Sequence, residues 1–82
     1  MEETKIFDKD AIISELVKDT VIKVSKILEE KGYNPIKQLK GYILSGDLGY
    51  ITSHKQARNM IAKIEINDLL EVLLKDFIKW NI

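Results

Sequence analysis

Residues 10–35, DAIISELVKDTVIKVSKILEEKGYNP, decide the fold. Ile13, Leu16/Val17, Thr20/Val21, Val24 and Ile27/Leu28 recur at intervals of three and four, which places them on one face of a helix. Asp10, or Asp8 just before it, offers a carboxylate to the unpaired N–H groups of the first turn. Lys31 suits the negative end of the helix dipole, and Gly32 follows as the left-handed residue that ends such a helix. Asn34-Pro35 then starts a second helix, because proline in the first helical position gives up an N–H that has no acceptor there.

Working outward, Ile36, Leu39, Tyr42 and Ile43 share one face of the second helix, which should end at Ser45 with Gly46 as its stop. Gly41 inside that helix costs about 1 kcal/mol relative to alanine, and its expected use is the close approach of another helix. Residues 46–52, GDLGYIT, form a connector whose Leu48, Tyr50 and Ile51 should pack down, with a short extended stretch at Tyr50–Thr52. Ser53 and Gln56 have capping-box spacing and open a third helix to about Ile64, with Ala57, Met60, Ile61 and Ile64 inward. Asn67 is positioned to cap a fourth helix that reaches about Lys79.

That fourth helix is apolar over more than one stripe. Leu69, Leu70, Val72, Leu73, Leu74, Phe77, Ile78 and Trp80 cover far more than the roughly 100° arc of a monomeric surface helix. One side can meet a small intrachain core. The remainder, Leu70, Leu73, Leu74, Phe77 and Ile78, is expected to pair with a second copy of the chain. The other way to cover it is a central helix wrapped by its own chain. The expected architecture is an all-α, four-helix single domain over residues 10–82 that forms a homodimer, with a flexible N-terminal arm over residues 1–9.

The 82-residue length allows one domain with a small core and little room for a wide catalytic cavity. Lysine plus arginine and aspartate plus glutamate each number 13, so the formal net charge is zero. The charge is unevenly spread: residues 34–63 set one acid, Asp47, against Lys37, Lys40, Lys55, Arg58 and Lys63. This middle segment reads either as a docking surface for something acidic or as an ordinary solvated face. There is no cysteine, so disulfides and thiolate metal sites are excluded, and the one histidine, His54, cannot form a multi-histidine metal site. No cofactor or metal is expected. No run of about 18 apolar residues exists for membrane insertion, and MEETKIFDKD is not a secretory signal. The expected setting is cytoplasmic.

Catalytic constellations are weak. Ser53-His54 are neighbours in sequence, whereas a nucleophilic triad needs groups that converge in space with an orienting acid. Glu29 and Glu30 are adjacent on a helix and read as solvated charge. The G-x-x-G of residues 46–49 lacks the Gly-Lys-Ser/Thr of a phosphate loop, and Asp47 inside it opposes a nucleic-acid clamp. The connector before the third helix is too long for a helix-turn-helix. Lys55, Arg58, Asn59 and Lys63 would give that helix only a modest basic face. A small helical nucleic-acid-binding protein is therefore the second reading. A subunit that docks its fourth helix into a different protein is the third.

The run Lys31 to Asp47, KGYNPIKQLKGYILSGD, followed by Tyr50-Ile51, His54-Lys55 and Ala57-Arg58-Asn59, resembles the IreB family of small bacterial regulatory phosphoproteins. The N-terminal E-T-K-I-F is similar to the family's arm, which places its phosphorylated threonine on Thr4. The resemblance implies a helical homodimer without enzymatic activity. It implies phosphorylation by a membrane Ser/Thr kinase with PASTA repeats and reversal by a partner phosphatase. It also implies control of envelope synthesis and cephalosporin tolerance through a downstream protein target, in some members through regulated proteolysis. Phosphorylation adds about −1.5 to −2 charges. The expected switch is electrostatic: the phosphorylated arm docks on, or stops masking, a partner-binding face of His54, Lys55, Arg58 and Lys63. Three family arginines are absent, with Ser53, Ala62 and Ile66 in their places.

Overall fold

The computed structural model describes residues 8–82. Asp8 sits in extended backbone and its carboxylate accepts the Ala11 N–H at 3.3 Å, which opens α1 at Lys9–Glu30. Val17, Thr20, Val24, Ile27 and Leu28 form its buried stripe. The helix stops as its sequence requires. Gly32 takes φ +85°, the Gly32 N–H donates to Glu29 O, and the Tyr33 N–H donates to Leu28 O, both at 2.9 Å. That paired closure satisfies carbonyls the last turn leaves open.

Helix α2 spans Pro35–Ser45, with the Asn34 side chain accepting the Lys37 N–H at 3.1 Å. Gly46 ends it in the left-handed conformation, φ +73°. Leu39 and Tyr42 are buried, but Ile36, expected inward, is 74% exposed on the first turn. Gly41 also has a different use from the one expected. The Tyr50 ring lies against its Cα, so a Cβ there would come within 2.9 Å of Cζ and closer still to Cδ1 and Cε1. An aromatic ring from the connector makes the close approach, not a second helix.

The connector forms a 3-10 turn, Leu48–Tyr50, held by the Asp47 carboxylate, which accepts the Gly49 N–H at 2.8 Å. Only Ile51 and Thr52 remain for the expected extended stretch, and the Ile51 side chain is fully buried. The capping box at Ser53 does not form. Ser53 makes no side-chain cap, and Lys55 and Gln56 take φ +50° and +66° in a 3-10 turn. Helix α3 therefore begins later, at Ala57–Ala62, and buries Ala57 and Ile61. Ile64 closes the core just beyond it, with Met60 partly buried beside it. Helix α4 spans Ile66–Asn81 with Glu65, not Asn67, in the cap position and without a side-chain cap bond.

Helices α2, α3 and α4 all lean on α1. Among residues 8–82 the regular structure is four α-helices and two 3-10 turns around one core, so the all-α, single-domain expectation holds. Within these residues no helix is long and apolar enough to cross a membrane.

Two outcomes follow for urea unfolding. Ile51→Ala should cost about 2–5 kcal/mol, the range for a fully buried large side chain. Gly41→Ala should stabilise a Tyr50→Ala background by about 0.5–1 kcal/mol through helix propensity alone. With the ring in place that gain should shrink or reverse. Equal gains in both backgrounds would show that Tyr50 does not constrain residue 41.

Candidate functional site: a divided basic segment and an uncovered helix face

The four cationic residues picked out by sequence do not form one face. His54 and Lys55 turn toward the C-terminal end of α1. Lys55 Nζ lies 3.1 Å from both carboxylate oxygens of Glu30, and His54 Nε2 lies 3.7 Å from one of them. These side chains are about half exposed, so the ion pair contributes at most about 1 kcal/mol. Its effect is chiefly to lower the charge that this surface presents.

Arg58 does structural work. Its Nε donates to Ile51 O at 2.9 Å in a partly buried setting, and its backbone N–H donates to Thr52 O at 3.1 Å. The guanidinium thereby ties α3 to the connector that carries Ile51. The left-handed backbone at Lys55 and Gln56 turns the chain so that both bonds form.

Lys63 points elsewhere. It lines a groove of about 260 Å³ between α1 and α3, together with Leu16, Asp19, Thr20, Lys23 and Met60. Lys23 stands 3.4 Å from Asp19 on its own helix. Among the described residues no ion pair to Lys63 is formed. Sequence reading missed Glu30 and Lys23. Each is an ordinary surface charge on α1, and only the folded chain brings them against residues some 25 to 40 positions away.

The second surface is α4. Leu69 and Val72 are buried against the core, while Leu70, Leu73, Leu74, Phe77, Ile78 and Trp80 are exposed. Ile66, Leu70, Leu73, Phe77 and Trp80 alternate at four and three residues, the spacing of a coiled-coil seam. The Lys18–Asp76 pair, 3.1 Å apart, lies where α4 meets α1. Thr4 lies outside the described residues.

Alanine substitutions separate these roles. Arg58→Ala should lower unfolding free energy by about 1–3 kcal/mol, because it strips a partner from the Ile51 carbonyl. Lys55→Ala and Lys63→Ala should stay within about 0.5 kcal/mol of the parent, as surface changes do. Comparable losses at all three would contradict the division drawn above.

The sequence model of the IreB regulatory phosphoprotein family matches residues 2–79, which is nearly the whole chain and takes in Thr4. The chain belongs to the IreB regulatory phosphoprotein family.

Proposed function

We propose that this protein is a non-enzymatic regulator that acts as a homodimer and is switched by phosphorylation of Thr4. The family match through the Thr4 segment is the observation that carries this reading. The modifying enzyme is a PASTA-type membrane Ser/Thr kinase, opposed by a phosphatase. The output is control of peptidoglycan precursor synthesis and cephalosporin tolerance through a downstream protein, by way of regulated proteolysis. The active form is cytoplasmic, where such a kinase domain and its substrate meet.

The dimer is supported by the uncovered seam of α4. A chain of this size exposes several large apolar side chains in one stripe only at a cost in solubility, and a second copy supplies a matching stripe through two-fold symmetry. Nucleic-acid binding gains no such support. The basic segment is divided, with Lys55 and His54 against Glu30 and Arg58 turned toward a backbone carbonyl.

Intact mass after incubation with the kinase tests the switch. One added phosphate is expected on the parent chain and none on Thr4→Ala, with the melting temperature unchanged. A strain that lacks the protein should change its cephalosporin susceptibility, and the parent gene should restore it where the Thr4→Ala gene does not. An unmodified Thr4 sinks the regulatory reading. For the dimer, Leu73→Glu combined with Phe77→Glu should give the mass of one chain by light scattering while α-helical circular dichroism persists. A monomeric parent chain would sink the dimer.

A further inference from the structure

Residues 1–7 join the described chain at the Asp8 cap that opens α1. With Asp8 as the cap, Phe7 holds the position before it and Ile12 is the fourth helical residue. Apolar residues at these two positions are the sequence pattern of a hydrophobic staple, which sets the angle at which a chain enters a helix. Ile12 is 52% exposed and Leu16, one turn further on, is 53% exposed. The two lie on the flank of α1 that leads to the groove of Leu16, Thr20, Met60, Lys23 and Lys63.

Reach and charge both agree with that path. Four extended residues carry Thr4 about 14 Å back from Asp8. Leu16 lies about 12 Å along the helix from the same point. Thr4 is therefore within reach of the mouth of the groove, with Glu3 and Glu2 next to it in sequence. Lysine side chains on a helix lean toward its N-terminus, which brings the Lys23 ammonium closer still. A phosphate on Thr4 beside Glu2 and Glu3 gives the arm a strongly acidic tip. Lys63 and Lys23 are the cations at the groove, and Asp19 is the opposing charge there.

We propose that the Thr4-phosphorylated arm, residues 1–7, docks in cis along the Ile12–Leu16 flank of α1, with its phosphate held by Lys63 and Lys23 in the α1–α3 groove. The inference rests on Thr4 being the modified residue, and it names the surface that modification covers. Phe7 and Ile6 supply apolar cover for Ile12 and Leu16, and the phosphate supplies the charge that holds the tip. Modification thus removes the α1–α3 groove from the accessible surface. Without the phosphate, Glu2 and Glu3 are partly offset by Lys5, the attraction to Lys63 and Lys23 no longer outweighs the repulsion from Asp19, and the groove is open to a partner.

The chain has no cysteine, so Asn59→Cys on exposed α3 carries a single nitroxide beside Met60 and Lys63. Phosphothreonine is installed at position 4 by genetic encoding, which keeps the docking test independent of any kinase. The amide signals of Glu2 to Lys5 should broaden in the phosphorylated chain and recover in the unphosphorylated one. Broadening should fade as added salt shortens the screening length toward about 3 Å at 1 M. Lys63→Glu should restore the signals, and Asp19→Asn should make the broadening more resistant to salt. Circular dichroism of both variants verifies that the helices persist. Unbroadened arm signals in the phosphorylated chain would overturn the proposal and leave phosphoregulation standing. Broadening seen only when spin-labelled and isotope-enriched chains are mixed would also overturn it, because the arm would then belong to the partner copy. A kinase that leaves Thr4 unmodified removes the regulatory reading, whatever the encoded phosphate does.

Discussion

The stripe Val17, Thr20, Val24, Ile27 and Leu28 is the surface on which the rest of the molecule is assembled. Isolated helices shorter than about 12–15 residues are marginal in water; α2 and α3, with 11 and 6 residues, fall below that limit and α4, with 16, stands just above it. Each becomes stable by laying a few apolar side chains on α1: Leu39 and Tyr42 from α2, Ala57 and Ile61 from α3, Leu69 and Val72 from α4. Ile51 joins them from the connector, so even a non-helical segment is drawn onto the same surface. One helix with three dependants leaves the outer side of every dependant uncovered. Where that side is polar, water is sufficient. On α4 it is not polar, and among the described residues nothing covers the seam.

The parts of this fold that could be read from sequence are the ones set by local chemistry. Gly32, Gly46 and Asn34-Pro35 each act within a few residues, and the helix ends they mark are where the backbone changes hand or direction. The failures have a common cause. Ser53 and Asn67 have capping side chains at plausible positions, but tertiary contacts decide those boundaries. Arg58 reaches back to Ile51 and Thr52, and the chain between them must turn through two left-handed residues, Lys55 and Gln56. That conformation costs roughly 1–2 kcal/mol at a residue with a Cβ. The burial of Ile51 and the bonds of Arg58 offset it. No local pattern announces such an exchange.

The candidate site divides in the same way. The α4 face was visible because hydrophobic periodicity extends past what one core can bury. The basic segment was visible only as composition. Which of its charges are engaged depends on Glu30, twenty-five positions away from Lys55, and on the connector carbonyl that Arg58 meets. Charge counting along the chain treats His54, Lys55, Arg58 and Lys63 as equivalent. Folding makes one a strut, two a surface pair and one a lining residue of a groove. Of the three positions where the resemblance leads one to expect arginine, Ser53 and Ala62 are exposed and Ile66 is half-buried where α4 begins.

Trp80 is the single tryptophan of the chain, and it stands 74% exposed near the end of α4 with the Lys79 ammonium 5.7 Å from its ring centre. Indole emission shifts to shorter wavelength when water is excluded from the ring. The protein therefore carries a built-in optical gauge at the end of the apolar seam of α4. Whatever lies along that seam, whether solvent, a second copy or another protein, sets the colour of its fluorescence without any added label.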